Sequence, residues 1–204
     1  CYTIDNKDTT EFDDAFSLWT NQHGNQVLSI YISNVAIWME YLDLWKAFSQ
    51  RIATIYLPDQ KRPMIPTMLS STLCSLIENQ DRIAFTMDVE FYGEQDNESP
   101  NAYNITYKNT LIRVTKNLDY SEIRSSQTEA KSNLENYFDR IYSLINTHEI
   151  TKDRVSCRRD LVYFLMVFMN HNVAKTLIQH KIGIYRNVNV GDSRNDIPDS
   201  LPSD

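Results

Sequence analysis

The 204 residues carry 27 acids against 20 Lys and Arg, a formal net charge of −7, with 42% hydrophobic and 11% aromatic residues. That size suits one large domain or most of one, and the composition is ordinary for a globular core. The acidic balance argues against a surface that grips polyanions unaided, unless the acids gather where a divalent ion reverses the local sign.

In chain order, CYTI reads as a short strand and NKDTTEFDD as a loop. AFSLWT and QVLSIYISNV read as two strands joined across NQHGN, a Gly-Asn turn signal. Leu44, Ala47, Phe48, Ile52 and Ile55 fall near helical spacing, so LDLWKAFSQRIATIY is expected to be a helix closed by LPD. KRPMIP is extended, because its prolines exclude helix, and MLSSTLCSLI is a short helix or turn. DRIAFTMDVEFY alternates as a strand, GEQDNESPN is a surface loop, and AYNITYKNTLIRVTKN is a strand pairing back onto the first.

Residues 127–148 form an amphipathic helix with the apolar stripe Leu134, Tyr137, Phe138, Ile141 and Ile145. A longer helix is expected from about Arg158 to His180. The tail GDSRNDIPDSLPSD has a disordered composition. The pattern gives one domain over 1–190 and a separate acidic tail over 191–204. The fold class is α+β: mixed, mostly antiparallel sheets packed with long helices.

Cys1, Cys74 and Cys157 are odd in number and widely spaced, which suits buried small hydrophobes in a reducing compartment. With no signal peptide visible, an intracellular, cytoplasmic location is expected. The four His are scattered without ligand spacing, which argues against zinc. The longest apolar run, LVYFLMVFM, is short for a membrane span and reads as a buried helix, so no membrane partner is expected. A first residue other than Met, leading directly into a strand, suggests an internal piece of a longer protein.

The densest chemistry lies in TIDNKDTTEFDDAF, where Asp5, Asp8, Glu11, Asp13 and Asp14 share a stretch with one cation, Lys7. Hard carboxylate oxygens suit Mg²⁺ or Mn²⁺ and, with one or two ions, phosphoryl transfer. An EF-hand count from Asp5 fails, because Lys7 and Thr10 stand where Asp or Asn and Gly are required. In a plain strand Asp13 and Asp14 would point to opposite faces, so a shared site needs a turn or bulge there. A solvated acidic loop is the competing reading.

The same stretch resembles the signature of the RNB domain, the catalytic domain of the ribonuclease II family of 3′→5′ exoribonucleases. The pattern T-I-D, six residues on D, then x-D-D-A is met at Asp5, Glu11, Asp13, Asp14 and Ala15. LSIYISNVAIW, then LDLWKAFSQRIATIYLPDQKRPMIPTMLSSTLCSL, DRIAFTMDVEF and DLVYFLMVFMNHNVAKTLIQHKIGIYRNV resemble later family segments in the right order.

The resemblance implies a Mg²⁺- or Mn²⁺-dependent exoribonuclease that degrades single-stranded RNA to nucleoside 5′-monophosphates. By position, Asp5, Glu11 and Asp14 match metal ligands, and Asp13 with Asp14 match the catalytic acids. Asp8 has no counterpart. Tyr56 matches a position that clamps bases near the RNA 3′ end, and Tyr120 one that flanks the terminal nucleotides. Arg51, Lys61 and Arg62 are candidate phosphate contacts. Further domains of the OB or S1 type, or an RNA-degradation complex, are implied partners.

Departures from the pattern keep a second reading open: an RNB-like domain that binds RNA or a protein without cutting. Glu11 stands where the family has Asp, its extra methylene moving the carboxylate by roughly 1.5 Å, and Asn34 also replaces an Asp. Tyr163 and Phe164 replace a Glu pair. The family's arginine-rich "SPIRRY-x-D" segment has no match within these residues.

Overall fold

The computed structural model describes residues 1–48, 53–92, 102–120 and 129–184. Its contacts divide the chain into two compact units, Cys1–Met169 and Asn170–Asp204.

The first unit is built on a six-stranded sheet in the order β7-β6-β3-β2-β1-β8. The strands are β1 (Tyr2–Asp5), β2 (Asp14–Thr20), β3 (Gln26–Ser33), β6 (Asp81–Phe91), β7 (Tyr103–Arg113) and β8 (Lys116–Asp119). Every neighbouring pair is antiparallel except β1 with β8, which runs parallel. The expected α+β class with a mixed, mostly antiparallel sheet is therefore the observed one. A separate two-stranded hairpin joins β4 (Ile55–Tyr56) to β5 (Lys61–Arg62).

Local chemistry explains the tight β2–β3 connection. Asn21 Oδ1 accepts from the backbone N–H groups of His23 and Asn25, while Gly24 takes φ +87°, a region that glycine enters without a Cβ penalty. The pairing of Asp14 with Ile32 through Thr20 with Gln26 follows from that turn.

The α3 helix (Glu129–Thr147) buries Phe138, Ile141 and Ile145. Its Phe138 ring lies 6.0 Å from Phe16 of β2, and Tyr137 accepts the Leu18 N–H at 2.7 Å. Arg158, at the start of α4 (Arg158–Gln179), lies 4.4 Å over the Phe138 ring and donates to Glu135 at 3.0 Å. Behind β2, Ala15, Leu76, Ala84, Ile112 and Val114 form another buried cluster. Met39, Leu69 and Cys74 form a third, where α1 (Val35–Tyr41) meets a π-helical turn, Met68–Leu73.

Four sequence expectations need correction. The strand read through Val35 ends at Ser33, because Asn34 caps α1 by accepting the Ile37 N–H. The long helix expected to reach Ile55 is described only as α2 (Trp45–Phe48), and Ile55–Tyr56 is a strand, because the four residues LPDQ turn the chain back as a hairpin loop onto Lys61–Arg62. The stretch expected as one strand through Asn117 breaks after Arg113, and β8 leaves β6's side of the sheet to pair with β1. Cys74 is buried as expected, but Cys157 is exposed beside the α4 start.

α4 is also long and apolar enough, by length and composition, to cross a membrane, which the short apolar run did not suggest. In the first unit its Leu161, Phe164, Leu165 and Met169 are buried against protein, where apolar side chains of a core helix go. Among the described residues of the second unit, α4 ends at Gln179 and is followed by Lys181 at φ 55° and Gly183 at φ 102°. The expected GEQDNESPN loop, the 49–52 part of the expected helix, Arg51 and the 191–204 tail lie outside the described residues.

Candidate functional site

Sheet direction gathers the acids. Asp5 ends β1, and Asp14 begins the antiparallel neighbour β2, so both come to the same end of the sheet. Because β8 runs parallel to β1, its own end arrives there too: Asp5 stands opposite Asp119, and Tyr120 N–H donates to the Asp5 carbonyl at 3.1 Å. Asp13 precedes β2 and lies in the loop, so strand alternation does not bind it. Its carbonyl accepts the Ser33 N–H at 2.8 Å. Phe12 is held on both sides, donating its N–H to Ser75 Oγ at 2.9 Å and accepting the Leu76 N–H at 2.8 Å. These bonds give the acidic loop a fixed shape.

The electrostatics divide the acids into two sets. Burial, then the charges of Asp5 and Asp13, push Asp14 up to about 6. Asp5 is raised by burial and by Asp13, against a lowering hydrogen bond from Thr3. Asp13 is raised by desolvation and by Glu11, against a lowering pull from Lys61. The buried Asp5 Oδ2 has no hydrogen-bond partner. Asp14 is raised by Asp5 and Asp13, Asp5 by Asp13, and Asp5 has an orphaned oxygen, so this end of the sheet is short of positive charge.

Glu11 behaves differently. Its Oε1 accepts from Ser70 Oγ at 2.9 Å and Ser71 Oγ at 2.8 Å, and its Oε2 pairs with Lys61 Nζ at 3.0 Å. The Ser71 and Lys61 hydrogen bonds hold its carboxyl below the usual range. Asp8 is exposed in the loop.

The donor set fits a hard divalent cation. Among the described residues no three or more His, Cys, Asp or Glu side chains form a ready-made metal cage. Mg²⁺ does not need one, since it is commonly held by one or two carboxylates together with water and substrate phosphates. The unpartnered Asp5 oxygen and the repulsion of Asp14 by Asp5 and Asp13 are what such an ion would relieve.

The other sequence candidates fall in two places. Tyr120 is half-buried at the acidic end, its phenol raised by burial and by Asp14 and Asp5. Tyr56 is 76% exposed on the β4–β5 hairpin, with Lys61 Nζ 5.9 Å from its ring centroid. Arg62 is exposed on β5, paired in register with Ile55. Asn34 caps α1 and donates to Asn109 Oδ1 at 2.9 Å. Of the positions replacing a Glu pair, Tyr163 is exposed and Phe164 is buried.

Sequence reasoning missed Ser70 and Ser71 as partners of Glu11, and Arg159. The Arg159 guanidinium stands 5.9 Å from the Tyr120 ring centroid. The Arg158–Arg159 pair was visible, but only packing shows that Arg158 turns inward onto Phe138 and Arg159 outward to Tyr120.

Fold and site together define an α+β protein whose central sheet carries a carboxylate cluster at one end. The RNB domain model matches residues 1–160, and the chain belongs to that family. It is 30% identical over 157 residues to ribonuclease R of Thermotoga maritima, covering 74% of this chain and 21% of the relative. It is 37% identical over 97 residues to ribonuclease R of Chlamydia trachomatis, covering 46% of this chain and 14% of the relative. The chain therefore spans well under a third of the curated relatives it matches. A Mycoplasma genitalium RNase R structure with ribose-methylated single-stranded RNA superposes with a TM-score of 0.66 at 19% identity, over 89% of this chain and 33% of that one. The Dss1 exoribonuclease of Candida glabrata superposes with a TM-score of 0.60 at 16% identity, over 89% of this chain and 30% of that one.

Proposed function

We propose that these residues form the acidic part of the active site of a hydrolytic 3′→5′ exoribonuclease. Its substrate is single-stranded RNA and its products are nucleoside 5′-monophosphates. The observation that carries this reading is the convergence of Asp5, Asp13 and Asp14 at one sheet end with an unpartnered buried carboxylate oxygen. Family membership and the RNA held by the Mycoplasma genitalium relative support it.

Asp5 and Asp14 would hold Mg²⁺ or Mn²⁺, with Asp13 beside them. A bound divalent ion neutralises the scissile phosphate and activates water. The chain's own residues do the rest. Asp13, solvent-facing and raised, accepts a proton from the attacking water and holds it in line with the phosphate. Tyr120 stacks on the terminal nucleotide at the acidic end, and exposed Tyr56 offers a second stacking face. Stacking tolerates any base, as a processive nuclease requires. Arg159 brings a cation to the Tyr120 side, where a phosphate of the same nucleotide would lie.

A second reading, RNA binding without cleavage, is favoured by Glu11, whose two oxygens are taken by Lys61, Ser70 and Ser71, and by Tyr163 and Phe164. The two readings separate in one assay. The full-length chain is incubated with 5′-labelled single-stranded RNA and Mg²⁺ beside an Asp13→Asn control. A ladder of shortening products lost in the control supports hydrolysis. Binding without any shortening rejects hydrolysis in favour of the second reading.

A further inference from the structure

Glu11 lies in the loop that follows Asp5, which has an unpartnered buried oxygen, yet both Glu11 oxygens have donors. Its Oε2 meets Lys61 Nζ at 3.0 Å, and its Oε1 takes the Ser70 and Ser71 hydroxyls at 2.9 and 2.8 Å. Those three donors come from two segments distant in sequence. Lys61 belongs to β5, directly across the hairpin from Tyr56, and its ammonium lies near the Tyr56 ring. Ser70 and Ser71 lie in the Met68–Leu73 π-helical turn, a conformation found often at functional positions. Among the described residues, Leu57 N–H donates to the Gln60 carbonyl within the hairpin, and Met64 N–H donates to Thr54 Oγ1 at its base. Ile55, Tyr56, Lys61 and Arg62 are all exposed, so apolar burial holds the hairpin weakly.

We propose that Glu11 is a positioning residue, a clasp that fastens the Tyr56 hairpin and the π-helical turn to the acidic loop, and that it is not a metal ligand. The extra methylene relative to Asp is what lets the carboxylate reach Lys61 and both serines. A carboxylate with three charge-assisted or hydroxyl donors has little left to offer a cation. The consequence for RNA is geometric: the stacking face of Tyr56 is held near Asp13 through the Lys61–Glu11 link. This inference rests on the exoribonuclease reading only for the identity of the bound end. The clasp itself is testable without RNA.

The test uses the full-length chain and two readouts. The first is Mn²⁺ affinity by isothermal titration for the wild type, Glu11→Gln and Asp14→Asn. The second is the rate of tryptic cleavage after Lys61, followed by mass spectrometry, with cleavage after Arg154 as the control for general unfolding. Glu11→Gln is expected to leave Mn²⁺ affinity within about threefold, since it removes only a neighbouring charge, while Asp14→Asn weakens it at least about tenfold. Cleavage after Lys61 should rise about tenfold in Glu11→Gln, from loss of a charged pair, with the Arg154 site unchanged. A Ser70→Ala/Ser71→Ala double variant should raise the same cleavage with Mn²⁺ affinity unchanged. The proposal is overturned if Glu11→Gln loses as much Mn²⁺ affinity as Asp14→Asn, or if cleavage after Lys61 is unaltered in both variants. Failure of the RNA assay would leave both readouts intact, so the two ideas fail separately.

Discussion

Two carboxylates of the same sheet have opposite surroundings. Asp88, in the middle of β6, accepts the Ser29 hydroxyl at 2.5 Å and pairs with Lys108 of the neighbouring β7 strand. Asp14, at the sheet end, has Asp5 and Asp13 beside it and is pushed up to about 6. A buried acid that serves the fold is given its partners across adjacent strands, because an unpaired buried charge is costly. The acids at the strand ends are crowded with like charge, and the fold bears that cost. The difference separates the paired acid of the sheet interior from the crowded acids at the strand ends more sharply than their sequence context does.

The largest effect that would sharpen this contrast is on catalysis. Asp13→Asn should lower the rate of RNA shortening by at least about 100-fold with the protein still folded, as expected for loss of a group acting on the attacking water. Single-turnover kinetics with circular dichroism checks it. Unchanged activity would remove Asp13 from the site.

Next comes RNA binding. Tyr120→Ala should weaken single-stranded RNA binding about tenfold at fixed salt, from loss of one stacked base, with melting temperature lowered only slightly. Fluorescence anisotropy with labelled oligonucleotides measures it.

The paired acid should respond in the opposite sense to the crowded ones. Lys108→Met leaves Asp88 without its cation and should cost about 1–2 kcal/mol, discounted because Lys108 is half exposed. Asp14→Asn should stabilise the metal-free protein at neutral pH, because it removes a charge from a repelling set. Urea denaturation in EDTA compares them, and destabilisation by both would erase the distinction.

The last contrast is the pH dependence. Asp14 has a folded value near 6, above its ordinary 3.8, so the native state binds more protons than the unfolded one between those values. Its contribution to stability is therefore greatest at low pH and is lost as pH rises through about 6. Mg²⁺ should raise the melting temperature more at pH 7.5 than at pH 5, where protons compete with it. Thermal scans at both pH values test the sign.

Much of this was legible in one dimension. The Asn21–Gly24 turn, the alternation of β6 and β7 and the stripe at Phe138, Ile141 and Ile145 all follow from local chemistry that pattern reading captures. The acid cluster was legible because Asp5, Asp13 and Asp14 lie within ten residues. Less legible was anything set by a distant partner. β8 looked like the continuation of β7, since period-2 alternation says nothing about which strand will pair. Glu11 looked like its neighbours, because the sequence does not show that Lys61, Ser70 and Ser71 fold back onto it.

The sequence by itself determined the fold class, the family and the presence of a concentrated negative charge, because these depend on patterns of residues close together in the chain. Only the tertiary structure decided how that charge is divided. The parallel β1–β8 pairing brings Tyr120 to the acids, and the β4–β5 hairpin and π-helical turn supply Glu11 with its partners. Both are long-range contacts, formed only where strands meet in space, and they separate the acids left short of partners from the one already bound.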